Sequence, residues 1–97
     1  MKVVGKVFEF EWDKGNVNKN KKHKVKDKET EEVFFDKNKV IYKDKLHSKH
    51  EDRFIIIGKT KEDRLLYAVF TKRGKKNRII SARDINKKEV KLYEETT

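Results

Sequence analysis

The sequence contains no cysteine, no proline and only four glycines. The absence of cysteine excludes disulfide bonds, thiolate nucleophiles and cysteine-ligated zinc. No linker-like stretch and no internal repeat divides the chain, so we expect one domain spanning residues 1–97. The longest apolar run, 65–70, is far shorter than the roughly 20 residues of a membrane-spanning helix. Since no apolar stretch follows the first residue either, we expect no secretory signal and a cytoplasmic location.

Charged side chains make up 45% of the sequence, and positive charge predominates. The 27 lysines and arginines against 17 acids give a formal net charge of +10, which favours a polyanionic partner. Part of this charge can equally reflect a lysine-rich composition. All five arginines lie in the second half of the chain, at positions 53, 64, 73, 78 and 83. In a chain that otherwise uses lysine, they indicate a need for the planar guanidinium group.

Hydrophobic periodicity predicts eight elements in the order β-α-α-β-β-β-β-α. Alternation over 8–12 predicts a strand, and the apolar runs at 54–57 and 65–71 predict central strands covered on both faces. The other predicted elements are helices at 14–23 (capped by Asp13), 27–35 and 86–95 (capped by Asn86), and strands at 40–42 and 79–82. We therefore expect an α+β fold: an antiparallel sheet of about five strands with helices packed on one face.

This order of elements gathers cationic side chains at one end of the sheet. In an antiparallel meander the start of one strand lies beside the end of the next. Arg53 opens the third of the five strands, Arg78 opens the fifth, and the fourth ends at Lys72 and Arg73. The loop that leads into the third strand adds His47, Ser48, His50 and Glu51. Two arginines are expected at the opposite end: Arg64 and Arg83.

Such an edge supplies the groups needed to cleave RNA without a metal ion or cofactor. The 2′-hydroxyl of RNA is the nucleophile, so the protein must move protons and stabilise charge on the phosphate. Histidine transfers protons near neutral pH, and arginine binds phosphate oxygens through two nitrogens. His47, Arg53, Arg73 and Arg78 therefore form a candidate ribonuclease site. The hypothesis requires that Arg53 and Arg78 lie close together and that neither is covered by a carboxylate.

Other interpretations fit the same residue types. The cationic edge can be a solvated rim that binds phosphate without chemistry, which would make the protein a non-catalytic RNA- or DNA-binding module. A regulatory partner protein, whose exposed surface is buried by another chain, is a further alternative. A metal site at His47, His50 and Glu51 competes with solvated histidines, and a phosphate-binding face over 14–28 competes with a solvated lysine-rich segment.

Several strings of residues resemble one known family. Residues 10–16 (Phe-Glu-Trp-Asp-Lys-Gly-Asn), followed by Asn20 and Lys22-His23, resemble the N-terminal signature of BrnT-type ribonuclease toxins. Further similarities lie at 32–35, His47-Ser48, Arg53-Phe54, 57–60, 69–74, 78–83 and 93–95. The resemblance covers about residues 8–95 and implies a RelE-like fold.

The resemblance also implies an activity, partners and site residues. The activity is metal-independent mRNA cleavage that inhibits growth; the implied partner is a BrnA-type antitoxin, whose ribbon-helix-helix part gives the complex its binding to operator DNA. The catalytic candidates are Arg53 and Arg78 at the scissile phosphate, His47 for proton transfer, and Arg83 and Tyr93 for orienting the substrate or donating a proton. With the basic edge, the RNA-binding candidates are Lys22, His23, Lys72, Arg73, Lys75 and Lys76. Structural alternatives are an ion pair of Arg83 with Glu89 or Glu94, and a packed core position for Tyr93.

Overall fold

The computed structural model describes residues 8–95 and shows an α+β fold built on a five-stranded mixed sheet. The strands are β1 (Glu9–Glu11), β2 (Val40–Lys43), β3 (Arg53–Lys59), β4 (Leu65–Arg73) and β5 (Lys76–Asp84). The helices are α1 (Asp27–Val33), α2 (Lys87–Glu95) and two short 3₁₀ helices, Lys19–His23 and Lys45–His47. Within residues 8–95, no helix is long and apolar enough to cross a membrane.

The strands lie in the order β1-β5-β4-β3-β2, which confirms the predicted antiparallel meander for β2 to β5. The edge strand β1 differs, because it pairs with β5 in parallel. After β1 the chain passes through α1 to the opposite edge of the sheet and then returns strand by strand. Three antiparallel pairings make β5 run opposite to β2. Since β1 is parallel to β5, β1 also runs opposite to β2.

Helices cover both faces of the sheet. On β3, Ile56 packs in a cluster with Val33 of α1, whereas Ile57 packs in a second cluster with Tyr93 of α2. Successive side chains of a strand point to opposite faces, so the two helices lie on opposite faces. The prediction of helices on one face only is therefore wrong. The two faces are called the α1 face and the α2 face below.

One extra residue in β5 determines which face its arginines occupy. The pairing with β4 passes from Ile79 directly to Ser81, so Ile80 is the extra residue of a β-bulge. In an uninterrupted strand, Arg78 and Arg83 would point to opposite faces because they are five positions apart. The bulge places both of them on the α2 face.

Beyond the end of β1, two buried asparagines hydrogen-bond to the backbone of β5 through their side chains. The Asn16 side chain donates a hydrogen bond to the carbonyl of Ile79 at 3.0 Å, and the Asn20 side chain accepts one from the N–H of Ala82 at 2.9 Å. These long-range contacts hold the chain in turns followed by the first 3₁₀ helix. The predicted α-helix at 14–23 is therefore wrong, whereas the other predicted elements are found within three residues of their predicted bounds.

Candidate active site

The cationic end of the sheet is centred on three neighbouring residues, Arg53, Thr71 and Arg78, which are called the arginine row below. Arg53 of β3 and Arg78 of β5 both pair with Thr71 of β4, so two strand spacings, about 10 Å, separate their Cα atoms. Both arginines line one small cavity of about 150 Å³, together with Lys19 and Glu51. The first structural condition for the nuclease hypothesis, proximity of the two arginines, is met.

Arg53 is the more accessible of these two arginines. Its Nη2 lies 3.6 Å from the nearer carboxylate oxygen of Glu51, and its side chain is 35% exposed. The buried Nε of Arg53 has no hydrogen-bond partner within the described part of the chain. Arg53 and Glu51 also line a second cavity of about 310 Å³, together with His47 and His50. Arg53 thus lies at the junction of two cavities.

Arg78, in contrast, is held by carboxylates. Its Nη1 and Nη2 donate to the two carboxylate oxygens of Asp13 at 2.7 and 2.9 Å, and Nη1 also donates to Glu11 at 3.2 Å. The hydrogen bond from Arg78 is the main cause of the lowered pKa of Asp13, and the hydrogen bond to Asp13 raises the pKa of Arg78. The second condition, an uncovered guanidinium, is not met for Arg78, so the hypothesis of two phosphate-binding arginines fails at this residue. A phosphate at Arg78 has to compete with these two carboxylates.

The turn that carries Asp13 is shaped to receive Arg78. The N–H of Gly15 donates to a carboxylate oxygen of Asp13, and the N–H of Asp13 donates to the side chain of Asn16, both at 2.8 Å. A Cβ atom on Gly15 would lie 2.7 Å from Nη2 of Arg78, so glycine permits the close approach. Sequence reasoning assigned Asp13 only a capping role and missed its pairing with Arg78. The acids at 11 and 13, ahead of a strongly basic segment, were the available signal.

The loop between β2 and β3, called the histidine loop below, carries His47 and is closed at its base by hydrogen bonds. The N–H of Asp44 donates to the carbonyl of Arg53 at 2.8 Å. The Ser48 hydroxyl donates to the carbonyl of Asp44 at 2.5 Å and accepts from the N–H of Arg53 at 3.1 Å. Nδ1 of His47 lies 2.9 Å from a carboxylate oxygen of Asp44, while 66% of the His47 side chain is exposed. Asp44 therefore orients the ring and leaves Nε2 available for proton transfer.

A family model matches residues 12–89, which are 78 of the 97 residues and include the arginine row and the histidine loop. Its description is a ribonuclease toxin, BrnT, of a type II toxin–antitoxin system. The chain belongs to the BrnT family. This family description confirms the prediction of an endoribonuclease toxin with an RNA substrate and an antitoxin partner. It does not favour the alternative of a non-catalytic binding module. A comparison with curated proteins finds no match.

Arg83 of this BrnT-family toxin lies away from the arginine row. Its Nη1 and Nη2 donate to the carboxylate of Glu89 at 2.9 and 2.7 Å, and its guanidinium carbon lies 4.0 Å from the centre of the Tyr67 ring. Burial opposes ionisation of Glu89, but hydrogen bonds from Arg83 and from the N–H of Asn86 outweigh it and lower the pKa of Glu89. The structural alternative, an ion pair that holds α2, is the arrangement found.

Tyr93 likewise occupies a packed position. It is 5% exposed, and its hydroxyl donates to a carboxylate oxygen of Asp36 at 2.6 Å. Burial, followed by the hydrogen bond to Asp36, raises the pKa of Tyr93 to about 12. Arg78 pairs with Thr71 and Arg83 with Tyr67, four residues apart on β4, or about 13 Å. Asp36, the partner of Tyr93, also accepts from the N–H of Lys59 at the far end of β3. The structure therefore does not bring Arg83 and Tyr93 together with Arg53.

The predicted RNA-binding residues of the toxin fall into two groups. Four are exposed around the turn between β4 and β5, at the same end as Arg53: Lys72, Arg73, Lys75 and Lys76. Lys22 and His23 are exposed on the first 3₁₀ helix, and the carbonyl of His23 faces Arg64 at the opposite end, at 3.5 Å. From the same basic segment, it is Lys19 that reaches the cavity of Arg53. Among residues 8–95, no group of three or more histidine, aspartate or glutamate side chains is placed to hold a metal ion.

Proposed function

We propose that Arg53 is the phosphate-binding centre of a metal-independent endoribonuclease site, with Lys19 as a second cation and His47 as the group that moves a proton. The position of Arg53 at the junction of two cavities carries this proposal. A phosphodiester at Arg53 has Lys19 on one side and the histidine loop on the other. The 3.6 Å contact with Glu51 is also looser than the 2.7 Å contact that holds Arg78, so a phosphate competes for Arg53 more easily.

The chemistry of this site follows from the RNA itself. The 2′-oxygen forms a bond to phosphorus while the bond between phosphorus and the 5′-oxygen breaks, which yields a 2′,3′-cyclic phosphate and a 5′-hydroxyl. One proton leaves the 2′-hydroxyl and one is delivered to the 5′-oxygen; His47 exchanges one of them and water exchanges the other. The guanidinium of Arg53 stabilises the additional negative charge on the phosphate oxygens in the transition state.

Arg78 has a positioning role in this proposal. Its contacts with Asp13 and Glu11 fix the turn at 13–16. Gly15 and Asn16 of that turn form one wall of the Arg53 cavity. Arg78 therefore shapes the phosphate site without having to bind the phosphate. The exposed lysines around the β4–β5 turn extend the positive surface along which an RNA strand binds.

The resemblance to BrnT toxins supports the finer assignment of the partner. The proposed antitoxin is a BrnA-type ribbon-helix-helix protein, and operator DNA is bound only through the toxin–antitoxin complex. The whole chain, 1–97, acts as one toxin domain in the cytoplasm, where its RNA substrate is found. A gel-shift experiment with toxin, antitoxin and their complex tests this: a shift of operator DNA by the toxin alone contradicts it.

Cleavage of RNA in the presence of EDTA tests the catalytic proposal. We expect the wild-type protein to cleave, and Arg53→Ala and His47→Ala each to slow cleavage by about 100-fold. Lys91→Ala, which removes an exposed cation from α2, is the matched control and retains full activity. Circular dichroism and thermal melting verify that each variant is folded. A requirement for added divalent metal, or full activity of Arg53→Ala, refutes the proposal.

A further inference from the structure

A cavity of about 470 Å³ lies next to the turn between β4 and β5. It is separate from the two cavities at Arg53, and the proposed function assigns it no role. Phe34 and Phe70 of the buried core and the half-buried Phe54 line it. The rings of Phe54 and Phe70 stack, with centroids 5.5 Å apart and planes 29° apart. The cavity therefore has an aromatic wall that continues the core of the α1 face.

The polar groups of this cavity are cationic or neutral. Lys72 and Lys75 line it, and Asn77 is the amide among its lining residues. The Nδ2 of Asn77 donates to the carbonyl of Glu9 at 3.4 Å, the long end of the hydrogen-bond range. Among residues 8–95, no carboxylate lines this cavity, whereas Glu51 lines both cavities at Arg53. The charge pattern fits a polyanion better than a cationic or neutral ligand.

The cavity is adjacent to the arginine row. Asn77 and Arg78 are consecutive in β5 and point to opposite faces of the sheet. Asn77 pairs with Lys72, and Arg78 pairs with Thr71. The aromatic cavity and the phosphate site therefore occupy opposite faces of the same strand ends, one residue apart. A strand that passes the exposed β4–β5 turn reaches both.

We propose that this cavity binds a nucleobase of the RNA strand whose phosphate is bound at Arg53; the proposal rests on the proposed function of Arg53. Single-stranded RNA is recognised by stacking of its bases on aromatic rings and by hydrogen bonds to base edges. Phe54 supplies the ring, the amide of Asn77 reads the base edge, and Lys72 and Lys75 bind the adjacent phosphates. The cavity thus contributes to the choice of cleavage site.

Two neighbouring tryptophan substitutions on the edge strand β2 test the proposal. Ile41 lines the cavity and is 45% exposed, so Ile41→Trp fills the mouth without removing a buried side chain. Tyr42 is 36% exposed and points to the other face, so Tyr42→Trp is the matched control. The probe is a fluorescent 2′-O-methyl RNA oligonucleotide, which cannot be cleaved because its 2′-hydroxyl is blocked, and fluorescence anisotropy gives its Kd.

We expect Ile41→Trp to weaken binding of the oligonucleotide by about tenfold, since one stacked base is lost, and Tyr42→Trp to change it by less than about twofold. We also expect 5-iodouracil in the oligonucleotide to crosslink to Phe54 on irradiation. Equal binding by the two tryptophan variants, or crosslinks confined to residues outside the cavity, overturns the proposal. So does an Ile41→Trp variant that binds RNA normally but binds the antitoxin poorly, because the cavity is then an antitoxin contact.

The experiment separates this proposal from the proposed function. If Arg53→Ala abolishes cleavage while Ile41→Trp binds and cleaves like the wild type, the base site is wrong and the phosphate site stands. If Arg53→Ala cleaves normally while Ile41→Trp loses binding, the aromatic cavity binds RNA and the assignment of Arg53 is wrong.

Discussion

The substitution Tyr93→Phe separates a structural role of this tyrosine from a catalytic one. It removes the hydroxyl that donates to the carboxylate of Asp36 at 2.6 Å. A hydrogen bond to a charged group contributes about 2 kcal/mol, and the phenyl ring keeps the packing. We therefore expect the free energy of unfolding to fall by about 2 kcal/mol and Tm to fall by about 10 °C for a chain of this size. RNA cleavage at a temperature where the variant is folded is expected to be unchanged.

The pH dependence of stability gives a second test of the same assignment. The folded protein raises the pKa of Tyr93 to about 12 from its ordinary value of 10. A difference of two pKa units corresponds to about 2.7 kcal/mol. Because the folded pKa is the higher one, this stabilisation is complete below pH 10 and is lost as the pH rises towards 12. The stability difference between wild type and Tyr93→Phe is expected to shrink over that interval.

Urea unfolding, monitored through the fluorescence of Trp12, measures the loss of stability and its dependence on pH. Tyr42→Phe is the control for the loss of a more exposed hydroxyl. The structural assignment is refuted if Tyr93→Phe slows cleavage more than about tenfold while its unfolding curve matches that of the wild type. Tyr93 would then act on the substrate, as the resemblance to BrnT toxins implied.

Three further substitutions test other parts of the structure. Gly74 has φ +61°, so Gly74→Ala is expected to cost about 1 kcal/mol and to lower Tm by about 5 °C in differential scanning calorimetry; an unchanged Tm contradicts this. Glu89→Gln breaks the ion pair with the partly exposed Arg83 and is expected to cost about 1 kcal/mol at pH 7. Since the folded pKa of Glu89 is lowered, its contribution is present above the ordinary value of 4.5 and disappears as the pH falls through the folded pKa, so urea curves of variant and wild type are expected to converge in acid. Asp13→Asn weakens the ion pair with Arg78 and is expected to lower Tm at pH 7. Since the folded pKa of Asp13 is lowered, chiefly by the hydrogen bond from Arg78, the difference in Tm is expected to shrink as the pH falls through that pKa; equal melting at pH 7 would show that the pairing does not stabilise the fold.

Local patterns were sufficient to predict the meander and the position of its cationic end. The apolar runs of β3 and β4 identified the central strands, and antiparallel order then placed Arg53 near Arg78. The same runs already implied cover on both faces, so the expectation of helices on one face was inconsistent with them. Periodicity alone does not give the parallel pairing of β1, because that depends on the path of the chain between distant segments.

Side-chain partners were the least predictable part of the candidate site. Asp13 and Arg78 are 65 residues apart, so the acids at 11 and 13 indicate a cationic partner but do not identify Arg78. The bulge at Ile80 has no glycine or proline to mark it, yet it determines the face on which Arg78 lies. Asn16 and Asn20 look like turn or helix-end residues in sequence, and their contacts with β5 exist only in the folded chain.

The contacts between the turn at 13–16 and β5 have a consequence for how a cell makes this toxin. One wall of the proposed phosphate site comes from residues 13–16, and the arginine that fixes this wall comes from position 78. While a ribosome is still synthesising the residues that precede β5, the emerging polypeptide lacks the strand that completes this wall. The nascent toxin therefore cannot complete the proposed nuclease centre until β5 has left the ribosome.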